Sequence, residues 1–204
     1  MNEPEREGVA PQFPNRTDMH TRRRRLRRRS GWKGALRDII IAAAVAVAAV
    51  TLLNLYVFNL SVVEGQSMQP TLLEGERLFI NKIGLLFTPP GRGEIVVLHD
   101  PEDGPQAKEY LVKRVIGIPG DTVEVREHEL YVNGRPVPES YTDAPIGDAD
   151  FAAVTVSPDH YFVMGDNRRS GASRDSRFFG EVDEERIVGR ASLIWWPLSK
   201  FRGL

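Results

Sequence analysis

Residues 39–58 read IIIAAAVAVAAVTLLNLYVF, twenty positions without a formal charge, with Thr51 and Asn54 the clearly polar members. As helix, such a run is about 30 Å long, the thickness of a bilayer's hydrocarbon core. Buried helices of soluble proteins seldom lack a polar stripe over this length. A cleaved signal peptide has a shorter apolar core and ends in a small-x-small site, whereas this run ends in Leu55, Tyr56, Val57 and Phe58. Trp32 precedes the run, and Tyr56 and Phe58 close it, as expected of rings at a membrane interface. The stretch is therefore read as an uncleaved signal anchor spanning residues 38–59, a single transmembrane helix.

Charge divides the chain at the same place. Residues 1–38 hold eleven Lys/Arg and five Asp/Glu, a charge of +6 within a net charge of -1, so the remaining 166 residues carry -7. Seven arginines fall within residues 22–29 with no aromatic residue among them, which fits anionic lipid and a topology signal better than a nucleic-acid arm. Residues 1–37 are expected to be a disordered Arg-rich cytoplasmic tail and residues 60–204 an extracytoplasmic domain, on a single-pass protein of the cytoplasmic (inner) membrane. The chain has no cysteine, so it can form no disulfide, thiolate nucleophile or cysteine-ligated metal site.

About 145 residues remain after the anchor, enough for one good core. Short β-rich runs dominate there: residues 77–81, 94–99, 109–116, 122–126, 129–132, 160–164 and 187–195. Pro119-Gly120-Asp121 reads as a turn and Asn133-Gly134 as a tight hairpin or a turn, with loops at 88–92, 101–105 and 141–150. The expected fold class is mostly β, a compact domain preceded by one transmembrane helix. Ile83, Leu85, Leu86 and Phe87 form a further apolar cluster, read as core by default, with dipping into the outer leaflet as the alternative. No P-loop, dinucleotide fingerprint or HExxH occurs, and His20, His99, His128 and His160 do not assemble a metal site by spacing.

Three segments carry candidate chemistry. GQSMQPTL at residues 65–72 displays Ser67 between a glycine and a Pro-Thr turn just beyond the span. Taken alone, Ser67 reads as an ordinary turn or capping serine. YLVKRVIGIPGD at 110–121 puts Leu111, Lys113 and Val115 on one strand face, so that the amine lies between apolar neighbours. Such a lysine can snorkel from an edge strand. The same burial would also disfavour its charged form, lower its pKa and make it a base able to take a serine proton without a histidine. VMGDNRRSGASRDSRFFG at 163–180 concentrates Asp, Asn, Ser and Arg in a loop after an apolar strand, suited either to solvent or to a network holding a site above a sheet.

Together, in this order and behind an anchor, the three segments resemble the boxes of the bacterial type I signal peptidases, membrane-bound serine-lysine endopeptidases. The patterns GxSMxPTL, KRVxGxPGD and GDN…SxDSRxxG are present at residues 65–72, 113–121 and 165–180. The resemblance implies a signal-peptidase-like β domain that cleaves signal peptides from exported preproteins after small residues at -3 and -1, with no metal or organic cofactor. It implies Ser67 as nucleophile, with its N–H serving the oxyanion, and Lys113 as general base. Ser173 would orient the amine, Asp175 and Arg177 would form a supporting pair with Arg114 nearby, and Gly165, Asp166 and Asn167 would shape the loop. Val63, Met68, Leu72 and Val112 would line the substrate pockets. Secretory preproteins, membrane lipid and proximity to the export machinery are the implied partners, with no nucleic acid.

Three positions depart from the family pattern. Gly65 stands where some members carry an oxyanion-binding serine, and Gly75-Glu76 replaces the usual Gly-Asp. The stretch from Asn167 to Ser173 is about two residues longer than the common spacing, with Ala172 where asparagine is frequent. Two other readings are a self-cleaving serine-lysine repressor and a catalytically silent module that holds extended secretory peptides. The repressor would need a DNA-binding domain before Ser67, and the silent module would tolerate loss of Ser67 or Lys113.

Overall fold

The runs of alternating and β-branched residues find their strands in the computed structural model, which describes residues 31–53, 57–102, 104, 105 and 107–204. The chain divides into a unit of Met1–Thr51 and a unit of Leu52–Leu204. The first contains all but the last residue of the helix α1 (Gly31–Leu52). Its segment Trp32–Leu52 has a mean hydropathy of 2.1, with none of its most apolar stretch buried, and is long and apolar enough to cross a membrane.

The helix does not coincide with the charge-free run. It begins eight residues before Ile39, taking in Lys33, Arg37 and Asp38, and Phe58 belongs to a strand. Freedom from charge marks where a helix can meet hydrocarbon, while exposed charged residues are compatible with helical backbone. Residues 31–37, expected in the disordered tail, are therefore helical. The rest of the tail, residues 1–30, and residues 54–56 of the expected span lie outside the described residues.

In the second unit the chain runs β1 (Phe58–Val62), β2 (Arg77–Asn81), a short helix α2 (Ile83–Phe87), β3 (Ile95–His99), β4 (Tyr110–Gly117), β5 (Thr122–Arg126), β6 (Glu129–Val132), β7 (Arg135–Pro136), β8 (Phe151–Thr155) and β9 (His160–Met164). A one-turn helix α3 (Ser176–Phe179), β10 (Val182–Asp183), β11 (Ile187–Trp196) and β12 (Arg202–Gly203) complete it. The larger sheet has the order β1-β2-β11-β3-β4-β9-β10, with β12 on β11, and the smaller one β7-β6-β5-β8. All pairings are antiparallel. Register shifts in β11 and near the end of β4 mark bulges, which increase local twist.

Strand β3 shows why the larger sheet lies inside the domain. Ile95 and Val97 face one apolar cluster with Val63, Met68, Leu72, Leu78 and Ile80, whereas Val96 and Leu98 face another with Leu111, Val115, Tyr161 and Val163. A third cluster, including Ile116, Val123, Leu130, Phe162 and Met164, joins β4 and β9 to the smaller sheet. A continuous apolar run is what a strand covered on both faces requires.

Strands β1, β7, β8, β10 and β12 were not anticipated. The expected span took in Phe58 and Asn59 of β1, FAAVT in β8 contains two alanines of weak strand preference, and the others are two residues long. Asn133 and Gly134 have positive φ angles of 52° and 73° and close the hairpin between β6 and β7. The default core role of the Ile83–Phe87 cluster is overturned: α2 has no buried residue, and Leu86 and Phe87 are 79% and 81% exposed. A one-turn helix cannot turn all of four apolar side chains inward, and Leu85 alone of them packs against a core cluster, beside Val96 and Leu98.

Gly117 on β4 has no room for a side chain, because a Cβ there would lie 2.6 Å from Val123 Cγ2 and 3.0 Å from Val156 Cγ2. Gly117→Ala should cost about 1–3 kcal/mol through overpacking. The check is a lowered midpoint in urea unfolding, and an unchanged midpoint would contradict the packing described for this junction.

Candidate active site

Strand alternation places neighbouring residues of β4 in different surroundings. Lys113 lies between Leu111 and Val115, two residues of one core cluster, and is only 2% exposed. Burial pushes its pKa down to about 8; the Asp175 carboxylate opposes the shift, while Arg174, Lys108 and Arg177 add to it. Its Nζ donates to Ser173 Oγ at 3.3 Å. The Ser173 hydroxyl in turn donates to Asp175 Oδ2 at 2.8 Å, so its oxygen is left to accept from the amine.

Asp175 anchors this chain of donors. It accepts from Arg177 Nε and Nη2, both at 2.9 Å, and from the Gly165 N–H at 3.1 Å, and it caps α3 by accepting from the Arg177 N–H. Burial alone would push the Asp175 carboxyl up, but Arg177, Ser173 and Gly165 together hold it below the usual carboxylate range. Arg177 is also bonded to Asp148 at 3.0 Å, in the loop before β8.

Arg114 is not part of this group. It pairs through Nε and Nη2 with Asp166, at 2.8 and 2.6 Å, donates to the Gly93 carbonyl and lies 4.0 Å over the Tyr141 ring. Asp175 and Arg177 form the expected pair, while Arg114, on the other face of the strand, bonds to Asp166, the residue after Gly165.

The loop after β9 holds the Ser67 turn directly. Asn167 N–H donates to the Ser67 carbonyl at 2.9 Å, and Asn167 Nδ2 donates to the Gln66 carbonyl at 3.1 Å. Gly165 sits between the two serine segments, where a Cβ would overlap both Ser173 Oγ and the Ser67 carbonyl oxygen. The longer Asn167–Ser173 stretch thus still brings Ser173 to the amine. Glu76, buried, accepts from the Leu73 N–H and pairs with Lys200 at 3.1 Å, closing the turn after the first box.

A cleft of about 400 Å³ has Ser61–Met68 along one wall and Lys108–Lys113 along the other, with Ala172 and Arg174 beside them. Ser67 and Lys113 both line it, as do Val63, Met68 and Val112. Leu72 does not; it is fully buried in the core cluster under this wall. Pairing of β4 with β9 begins at Arg114, so Tyr110 to Lys113 are paired with β3 but not with β9. Among the described residues no group of three or more His, Asp or Glu could hold a metal ion.

Several contributors had no motif to mark them. Glu139 pairs with the fully buried Arg168, whose Nε donates to the Gly165 carbonyl, and Asp143 pairs with Arg169. Arg174 pairs with Asp100 and Glu102. For the pairs of Glu139 and Asp143 the sequence signal was only the match between acidic residues at 139–150 and arginines at 168–177, and charge alone does not assign partners.

Residues 36–196 match the sequence model of the family described as signal peptidase, peptidase S26. Signal peptidase I P of Bacillus subtilis subsp. natto is 39% identical over 180 residues, covering 83% of this chain and 94% of the relative. Signal peptidase I of Bacillus caldolyticus is 42% identical over 170 residues, covering 77% and 90%. A crystal structure of a signal peptidase I from Enterococcus faecalis V583 is 33% identical with a TM-score of 0.43, covering 50% of this chain and 97% of that one. The family model and these sequence relatives define the class as a hydrolase of the signal-peptidase kind. The chain belongs to the signal peptidase I family, peptidase S26.

Burial of Lys113 has a consequence for stability. Below pH 8 the amine is charged in both the folded and unfolded states and its desolvation penalty is fully present. Between about 8 and the ordinary value of 10.5 the folded state sheds its proton first, so stability rises with pH through this window. Lys113→Met should therefore stabilise the detergent-solubilised chain at pH 7 by about 3 kcal/mol, with the difference levelling off above pH 10.5. Equal unfolding midpoints at both pH values would contradict a buried, desolvated amine.

Proposed function

We propose that this chain is a membrane-anchored endopeptidase that removes signal peptides from exported preproteins, with Ser67 as nucleophile and Lys113 as general base. The observation that carries the reading is a buried amine, held by Ser173 and Asp175, in the cleft that also contains Ser67. With a pKa of about 8, roughly a tenth of the amine is neutral at pH 7, against less than a thousandth for an ordinary lysine.

Neutral Lys113 takes the Ser67 proton as Oγ attacks the scissile carbonyl. The resulting ammonium then protonates the leaving amine, and an ester between the preprotein and Ser67 remains. Water attacks the ester with Lys113 again acting as base. Ser173 receives one N–H of the amine, which leaves the lone pair free for the Ser67 hydroxyl. The Ser67 N–H, which has no acceptor among the described residues, is available to the developing oxyanion.

The unpaired stretch of β4 supports an extended substrate bound as an added strand. Val63, Met68 and Val112 offer apolar walls suited to small side chains at -3 and -1, where steric overlap rejects larger ones. Leu72 would act only from beneath, by supporting these walls. The arginines before α1 favour an N-terminus inside and the β domain outside the cytoplasmic membrane. An anchored enzyme and an anchored scissile bond then meet near one plane at raised effective concentration. Leu86 and Phe87, exposed on α2, suit contact with the outer leaflet.

The test uses the full chain in detergent and a preprotein with small residues at both selecting positions. Wild type should cut once, after the residue at -1, and Ser67→Ala and Lys113→Ala should each abolish the cut. Cleavage surviving in both variants overturns the mechanism. The rate should rise with pH through an apparent pKa near 8, and a rising limb displaced to about 10 would mean an exposed base.

Gly165→Ala should lower kcat by tenfold or more, because the new methyl displaces Ser173 or the Ser67 turn. Unaltered turnover in that variant would contradict the role given to this contact.

A further inference from the structure

An oxyanion is best held by more than one donor aimed at it, and the Ser67 N–H supplies one. Gly65, two residues before the nucleophile, has no side chain to supply another. Its φ of +88° disfavours any other residue, so the backbone here is built for glycine. The nearest group to the space a side chain would enter comes from across the cleft: Lys108 Nζ lies 3.6 Å from the position of a Cβ on Gly65, within ordinary contact range, and no other non-neighbouring atom comes within 4 Å of that point.

Lys108 is well placed to keep that position. Its backbone N–H donates to Asp100 Oδ2 at 2.9 Å, and the same carboxylate accepts from the Glu102 N–H and pairs with Arg174. Arg174 follows Ser173 directly, so the segment that orients the base also fixes the root of Lys108. Among the described residues the Lys108 ammonium has no hydrogen-bond acceptor and no carboxylate within 4.0 Å. It lines the cleft with Ser67 and Lys113, and its charge reaches Lys113.

We propose that Lys108 is a further catalytic residue, whose ammonium enters the cleft beside Gly65 and donates to the oxyanion opposite the Ser67 N–H. This rests on the serine-lysine reading above. As the Ser67 Oγ–carbon bond forms, the carbonyl electron pair moves to oxygen and the hydroxyl proton to Lys113. Lys108 keeps its own proton throughout and gives up only a hydrogen bond when the intermediate collapses. The geometry also divides the chemistry between the two lysines. Lys113, dry, exchanges a proton, and Lys108, wet, supplies fixed positive charge.

The experiment compares wild type, Lys108→Met and Lys108→Arg in the full chain, on the preprotein and on the high-pH plateau, where Lys113 is neutral in all three. Removing one oxyanion donor costs about a hundredfold in kcat. Lys108→Met should show a loss of that order with KM changed less than about threefold, and Lys108→Arg should recover most of it. A peptide aldehyde, whose adduct with Ser67 places an oxyanion in the site, should lose affinity in Lys108→Met by a factor similar to the loss in kcat, whereas an uncleavable substrate peptide should not.

Lys108→Met turning over within threefold of wild type overturns the proposal. So does a loss confined to KM that disappears at high salt, which would make Lys108 a rim charge that only steers substrate. Failure of wild type to cleave the preprotein or to bind the aldehyde would instead bring down the serine-lysine reading itself. Lys108 is exposed, so a thermal unfolding midpoint for Lys108→Met equal to wild type separates these outcomes from misfolding.

Discussion

Burying an amine is unfavourable in proportion to how far its pKa falls, and for Lys113 the fall from 10.5 to about 8 amounts to about 3 kcal/mol at neutral pH. Much of the surrounding domain can be understood as what keeps that amine dry and still. Leu111, Val115 and the cluster around Val96 and Leu98 exclude water, while Ser173 and Asp175 provide the polar contact that a buried nitrogen requires. The Asp175 carboxylate is itself buried, and Arg177 with the Gly165 N–H offsets its desolvation. Each polar group in the chain therefore has a partner one step farther from the cleft.

The outermost partners come from a segment with no catalytic motif. Glu139, Asp143 and Asp148 pair with Arg168, Arg169 and Arg177, fastening the loop after β9. That loop bonds to the Gln66 and Ser67 carbonyls through Asn167, so the serine segment and the amine segment are referred to one support. Lys113 and Arg114 show how strand geometry divides the work. Adjacent in sequence, they face opposite ways, one toward Ser173 and the other toward Asp166.

Strand legibility depended on whether a run had both period and length. Residues 77–81, 122–126, 129–132 and 160–164 have the ends of their strands as expected, because β-branched and aromatic residues there are bounded by turn or polar residues. Strand β1 was hidden because its first two residues fall in the expected span and only Leu60, Ser61 and Val62 lie beyond it, too few to show a period. For α2 the apolar composition was right but burial did not follow, since α2 is only five residues long and none of them is buried.

The amino-acid sequence by itself supplied the candidate dyad only through the resemblance carried by three ordered motifs behind an apolar run, because Ser67 and Lys113 each have an ordinary structural reading when taken alone. It also determined that the domain is mostly β and that an apolar helix precedes it. Tertiary structure alone decided that Arg114 meets Asp166, Arg168 meets Glu139 and Arg177 also meets Asp148, that Leu72 lies beneath the cleft wall instead of in it, and that Lys108 reaches across to Gly65. Those facts join residues twenty to a hundred positions apart, and hydrophobic period and turn chemistry act over only a few. Contacts at such separation exist only once the sheets have packed and fixed which side chains share a space.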